Sequence, residues 1–286
     1  MGEGLVKKSK IVLANSVGID KNGYAIIHSP SRWTNSSTNK DVFTYYPWEL
    51  AYATALLKRE TDHDIKLIDG CLKKYDHESF FKVLCEEHPD YLVMEPSTRT
   101  WEDDKALALA IKKACGTKLI MAGQHPTAYP EDVKHSADYV LIGEYEMTLL
   151  DLFQGKDPSS IAGLYPNKRR ELLDVNFLPW PEDTDVSRFD YAIPGEPSSE
   201  YVEIQAYATR GCPFNCSFCV CSNLYYAKPN WRPRQVSNII EELVYLKERY
   251  PGMEGIFFDE EYHNVNKAFI LELTHQIKEN KLQDLK

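Results

Sequence analysis

The chain has 286 residues, 43% of them hydrophobic and 27% charged, with a formal net charge of −10, long enough for about two domains with cores of their own. The acidic balance argues against a surface built to neutralise phosphates, so there is no strong nucleic-acid signal; no apolar run is long enough to span a membrane, and the start Met-Gly-Glu-Gly-Leu-Val-Lys-Lys lacks the apolar segment of a signal peptide. Seven cysteines, most in one cluster, do not make a disulfide framework and fit a reducing, cytoplasmic compartment.

Lys10 to Val17 is nearly continuously apolar and is expected to be a buried strand. A loop from Gly18 to Thr44 follows, rich in Asn, Ser and Gly and longer than ordinary connections, which makes it functional or mobile. Pro47 opens a helix to Arg59. Strands are then expected at Asp64–Ile68, Tyr91–Met94, Lys118–Ala122 and Ala137–Ile142, alternating with helices at Glu78–Glu87, Glu102–Ala114 and Met147–Phe153. This rhythm predicts an α/β fold over residues 9–160: a doubly wound, parallel, Rossmann-like sheet with helices on both faces. Such sheets bind ligands outside the carboxyl ends of their strands. The loops to watch are therefore Gly18–Thr44, Glu95–Trp101 with Ser97 in it, and Gly123–Pro130. No Gly-x-Gly-x-x-Gly follows the first strand, so dinucleotide binding has little support.

Residues 161–200 form a connector, where Pro179 and Pro181 force extended backbone. The second region, 201–286, begins with an alternating strand from Tyr201 to Ala208, followed by a cysteine loop and a helix from Val236 to Arg249. A strand from Gly255 then ends in Asp259, Glu260 and Glu261, and a helix runs from Ala268 to Lys278. Strand, helix, strand, helix is the opening of a parallel barrel, in which active residues gather at strand ends.

The cysteine loop reads Thr-Arg-Gly-Cys-Pro-Phe-Asn-Cys-Ser-Phe-Cys-Val-Cys from Thr209 to Cys221. Three thiols, of Cys212, Cys216 and Cys219, converge there at one strand end. Thiolates bind zinc as well as iron-sulfur clusters. A zinc-stabilised binding module would need a fourth ligand from Cys221 or His263. Three ligands on one short loop suit a cubane cluster with one iron left open.

The spacing of three and then two residues between these cysteines, with aromatic Phe218 before the last, resembles the signature of the radical S-adenosylmethionine (radical SAM) superfamily. Upstream, Ala122 to Asp132 (Ala-Gly-Gln-His-Pro-Thr-Ala-Tyr-Pro-Glu-Asp) and the Gly-Glu-Tyr-Glu at Gly143 to Glu146 resemble the cobalamin-binding domain that precedes the radical SAM core in one subclass. The resemblance implies a 4Fe-4S cluster on Cys212, Cys216 and Cys219, with S-adenosylmethionine at its open iron and Phe218 beside it. Asp259, Glu260 and Glu261 stand where the superfamily holds the SAM ammonium, two acids replacing its usual glycines. Cobalamin is implied near Ser97, Gly123, Gln124, His125, Gly143 and Glu144. Ala122 replaces a frequent glycine, and Asn22 stands where mutase-type proteins carry the cobalt-ligating histidine. The implied activity is formation of a 5′-deoxyadenosyl radical followed by methyl transfer or rearrangement at an unactivated carbon of a small-molecule or lipid-like substrate. Flavodoxin or ferredoxin is the implied electron donor. A first domain that binds no cobalamin is the alternative within the same superfamily. The resemblance also implies a barrel incomplete at its carboxyl end, so that the chain is expected to be a portion of a longer protein or to need a partner.

Methylthiotransferases, a related class, hold a second cluster on three cysteines of a similar first domain. Here Cys71, Cys85 and Cys115, with Cys85 in mid-helix and Cys115 at a helix end, should not converge and read as packing or surface residues.

Overall fold

The computed structural model describes residues 8–29, 33–37, 44–192 and 200–286. The chain divides into two compact units, one of Met1–Leu173 with Pro181–Val186 and one of Asp174–Trp180 with Ser187–Lys286.

In the first unit the near-continuous apolar strand β1 (Lys10–Asn15) lies between β4 (Asp64–Asp69) and β5 (Tyr91–Met94), and β6 (Lys118–Met121) and β7 (Tyr139–Val140) extend the sheet beyond β5. All four pairings are parallel, with Leu13 opposite both Leu67 and Val93. The order β4-β1-β5-β6-β7 reverses direction between β1 and β5, the place where such sheets leave a crevice. Helix α1 (Trp48–Glu60) packs with α6 (Glu146–Phe153), and α2 (His77–Glu86) packs with α3 (Trp101–Cys115). Right-handed crossovers put these pairs on opposite faces of the sheet. Val12, Ala14, Leu92 and Met121 meet Phe80, Leu84, Leu107 and Ile111 in one buried core; fully burying a side chain of this size contributes about 1.5–3 kcal/mol. A capping box between Asp76 and Ser79 starts α2, and Gly116 at φ +72° ends α3.

The segment expected to be a long loop contains a hairpin, β2 (Ala25–Ser29) paired antiparallel with β3 (Trp33–Ser37). Its polar composition hid a strand pair that a run of Ala-Ile-Ile could have signalled; residues 30–32 and 38–43 lie outside the described residues. Between β6 and β7, short helices α4 (Gln124–Ala128) and α5 (Pro130–Val133) replace the expected loop. Residues 193–199 of the expected connector lie outside the described residues.

In the second unit β8 (Glu203–Ala206) is followed by the two-residue β9 (Thr209–Arg210), which pairs antiparallel with β10 (Arg232–Pro233). Helix α7 (Val236–Arg249) then leads to β11 (Gly255–Phe258), parallel to β8 with Ile204 opposite Ile256, and on to α8 (Lys267–Glu279). Ile239, Ile240 and Leu243 of α7 meet Leu273 of α8 in the core. A buried ion triad supports β8: Glu242 takes both Arg188 and Arg234. Those arginines also donate to the carbonyls of Gln205 and Tyr207, each at 2.7 Å. Among the described residues no helix is long and apolar enough to cross a membrane.

Candidate cofactor sites

The cysteine loop hangs from the end of β9. Gly211 stands at φ +91°, and a Cβ there would lie 2.1 Å from Asn230 Oδ1, so both conformation and space demand glycine. The loop's backbone is fastened at each cysteine. Asn230 N–H donates to Cys212 O at 2.8 Å, and Asn223 Nδ2 donates to Cys216 O and Cys219 O at 2.7 and 2.8 Å. A π-helical turn, Cys221–Tyr225, carries Asn223 into that position and buries Cys221. No cysteine of the loop is in a disulfide; Cys216 is exposed and Cys212 and Cys219 are half-buried. Phe218 is 88% exposed.

Among the described residues, no group of three or more His, Cys, Asp or Glu side chains stands in a metal-holding arrangement. The cluster is tested instead on the donor set, and it fits: three free soft thiols lie on one loop whose three cysteine carbonyls are all engaged.

The acids after β11 meet this loop. Glu261 accepts from Gly211 N–H at 3.3 Å and from the Tyr226 hydroxyl at 3.0 Å. Glu260 accepts from Ala208 N–H at 3.3 Å and pairs with His263 Nδ1. Burial pushes the Glu260 carboxyl above its ordinary range, and the His263 bond offsets part of that rise. Asp259 is buried, its N–H on Ala206 O at 2.9 Å.

In the first unit the structure gathers Ser97, Gly123, Gln124, His125, Gly143 and Glu144 at the carboxyl edge of the sheet. Most have work within the fold. Ser97 closes a turn with Thr100 ahead of α3. Gly123 stands at φ +89°, where a Cβ would lie 2.4 Å from Glu95 Cγ. Gly143 N–H donates to Thr127 Oγ1 at 2.9 Å, and Glu144 accepts from Leu173 N–H at 3.1 Å. His125 is buried between the rings of Trp101 and Tyr129, with Nδ1 on Thr98 Oγ1 at 3.1 Å. Burial lowers its pKa and so favours the neutral imidazole. Its Nε2 has no hydrogen-bond partner among the described residues. An orphaned buried nitrogen at the edge where such sheets take ligands fits a bound group there.

Sequence reasoning missed Asn223, Asn230 and Tyr226 as supports of the cysteine loop, and it missed Asp104. Asp104 falls on the buried stripe of α3 with Trp101, Leu107, Ala108 and Ile111. An acid in an apolar stripe was the available signal. The expectation that Cys85 and Cys115 stay apart is corrected. Cys85 lies in the last turn of α2 rather than its middle, and α2 packs beside α3, so the two helix ends bring the thiols together. Burial and the hydrogen bond with Cys115 push the Cys85 thiol up to about 11. Cys71 is buried elsewhere, its Sγ on the Ser16 and Val17 carbonyls.

No protein-family model matches the chain. It is 28% identical over 253 residues to an uncharacterized methyltransferase of Pyrococcus horikoshii, covering 82% of this chain and 53% of that protein. It is 28% identical over 191 residues to the bacteriochlorophyllide d C-8(2)-methyltransferase of Chlorobaculum tepidum, covering 64% and 38%. It is 26% identical over 245 residues to the anaerobic magnesium-protoporphyrin IX monomethyl ester cyclase of Cereibacter sphaeroides, covering 78% and 39%. The chain thus spans about half or less of the length of these relatives. Among solved structures, apo, selenomethionine-labelled OxsB, a cobalamin-dependent S-adenosylmethionine radical enzyme, matches 97% of the chain and 37% of its own at a TM-score of 0.65 and 14% identity. The chain is thus similar in sequence to methyltransferases and to a cyclase of tetrapyrrole chemistry, and it shares its α/β fold with a cobalamin-dependent S-adenosylmethionine radical enzyme.

Proposed function

We propose that the chain is the cofactor-binding part of a radical SAM enzyme that modifies an unactivated carbon, by methyl transfer or rearrangement, with cobalamin as second cofactor. The observation that carries the proposal is the division of labour in the cysteine loop. The carbonyls of Cys212, Cys216 and Cys219 are engaged by Asn230 or Asn223, while their three thiols are in no disulfide. Cys212, Cys216 and Cys219 would hold three irons of a 4Fe-4S cluster. When bound, cluster and SAM supply a 5′-deoxyadenosyl radical, and cobalamin supplies a transferable methyl group.

The protein's residues position and exclude. Asp259, Glu260 and Glu261 would offer carboxylate acceptors for the SAM ammonium, and the exposed ring of Phe218 would lie beside the bound cluster and SAM. Glu261 holds the loop entry through Gly211 and Tyr226, which ties the cysteine loop to the acids and would fix a bound cluster relative to them. Ser97, Gly123, Gln124, His125, Gly143 and Glu144 form the edge offered to cobalamin. A flavodoxin or ferredoxin is the fitting electron donor. Two relatives are named for bacteriochlorophyllide and magnesium-protoporphyrin substrates, which points to a small, ring-containing substrate.

The test is anaerobic reconstitution with iron and sulfide, measuring iron, sulfide and bound cobalamin on one sample. About four irons with equal sulfide and one cobalamin support the whole proposal. Iron without cobalamin removes the second cofactor. Stoichiometric zinc without sulfide overturns the radical reading. In the complete protein, Cys212→Ala is expected to abolish SAM cleavage.

A further inference from the structure

At the carboxyl edge of the first sheet, between the loop after β1 and the amino ends of α2 and α3, lies a cavity of about 190 Å³. Asp104 lines it and is fully buried. Its Oδ1 takes the Ser16 hydroxyl at 2.9 Å, while Oδ2 has no partner within hydrogen-bond distance among the described residues, although the Thr100 hydroxyl, which also lines the cavity, helps hold the carboxyl's pKa down. His77 lines the same cavity, and its Nε2 is also buried without a partner. A second cleft of about 560 Å³ shares Asp20, Lys21, His77 and Asp103 with the first. The arrangement is a small inner chamber with two unmet polar atoms, adjoining a wider outer cleft.

The chemistry of the lining selects the ligand. Asp104 Oδ2 calls for an N–H or O–H donor. Asp20, Asp103 and Asp104 oppose an anion, while Lys21 and Arg99 in the same wall oppose a cation. Burial pushes the Asp104 carboxyl up to about 6, so near neutral pH its Oδ2 still offers a carboxylate acceptor. A neutral group with two polar ends is left, and Val17 and Ile26 close the chamber with apolar surface. A primary carboxamide supplies two N–H donors and one acceptor in a plane, enough to satisfy Asp104 and His77 together.

We propose that this inner chamber binds a primary carboxamide arm of a ligand whose body lies in the outer cleft, with Asp104 as the acceptor. The inference rests on the cobalamin reading of this domain, because the corrin rim carries such arms; a free amide is the other source of the same chemistry.

The experiment titrates hydroxocobalamin into the full chain and into Asp104→Leu and Asn22→Trp, reading the dissociation constant from the visible spectrum and folding from thermal melts. Asn22 is an exposed lining residue, so its tryptophan narrows the chamber without entering the core and decides the matter if Asp104→Leu fails to fold. Loss of about tenfold or more in affinity in either folded variant is expected from removing a hydrogen bond to a buried carboxylate. Tight binding by wild type with both variants within twofold overturns the inference and leaves the cobalamin proposal standing. If wild type binds no corrinoid, propionamide is titrated while the His77 ring resonances are followed. Shifts lost in Asn22→Trp then support a free amide as the ligand, and no shift overturns the inference.

Discussion

The two strand-end regions use their residues in opposite ways. At the carboxyl edge of the first sheet, Ser97, Gly123, Gly143 and Glu144 each serve a turn, a close approach or a chain tether. At the end of β9 the thiols of Cys212, Cys216 and Cys219 form no disulfide, and the work of holding the loop falls to Asn223, Asn230 and Glu261. A motif residue with no structural duty speaks for chemistry, whereas one with a duty speaks for either. Substitutions that separate folding from binding sharpen this contrast.

The largest expected effect is structural and lies at the buried ion triad behind β8. Glu242→Gln leaves Arg188 and Arg234 buried around a neutral partner, and stability measured by urea unfolding should fall by about 3–5 kcal/mol. The two arginines hold the Glu242 carboxyl below its ordinary range despite its burial. Its contribution is thus present above its ordinary pKa and is lost as pH falls through the lower folded value.

Asp104 in the first unit has the opposite sign. Its pKa rises from 3.8 to about 6, so the folded state holds the proton more tightly. Stability is favoured below pH 4 and declines as pH rises through 6, by about 3 kcal/mol for a shift of roughly two units. Asp104→Asn should flatten that decline, read as melting temperature against pH. An unchanged slope would mean that Asp104 is charged throughout.

Much of this was readable beforehand. The strand and helix alternation places β1, β4, β5, β6 and their helices, because a doubly wound sheet writes apolar runs and amphipathic stripes into the chain. The cysteine spacing was equally legible. What escaped depends on which helix ends meet and on what lies inside a stripe: the Cys85 and Cys115 contact, and Asp104 among the apolar residues of α3. The β2–β3 hairpin escaped because the Trp-Thr-Asn-Ser-Ser of β3 is polar and the short Ala-Ile-Ile of β2 lacks the alternation that marks a strand.

Smaller effects test the supporting residues. Gly123→Ala must place a Cβ at positive φ against Glu95, and should lose about 1–3 kcal/mol in urea unfolding. Glu261→Gln keeps both contacts only by reversing the bond to Tyr226, its amide donating to the hydroxyl while its oxygen accepts from Gly211 N–H, and with the charge assistance gone should lose about 1–2 kcal/mol. If the acid also holds SAM, the SAM dissociation constant rises with it; a stability loss alone would confine Glu261 to loop support.

The smallest effect on folding carries the most weight for function. Cys216→Ser changes one exposed sulfur to oxygen, and the Asn223 bond to its carbonyl does not involve the side chain. Unfolding free energy should therefore move by less than about 0.5 kcal/mol, as for an ordinary surface substitution. Iron retained after anaerobic reconstitution should nevertheless collapse, because a hydroxyl is a poor replacement for a soft thiolate ligand. A stability loss comparable to that of Glu261→Gln would show that the thiol has a duty in the fold, erasing the contrast between the two strand ends. Full iron retention would leave the loop without the chemistry that its free sulfurs imply.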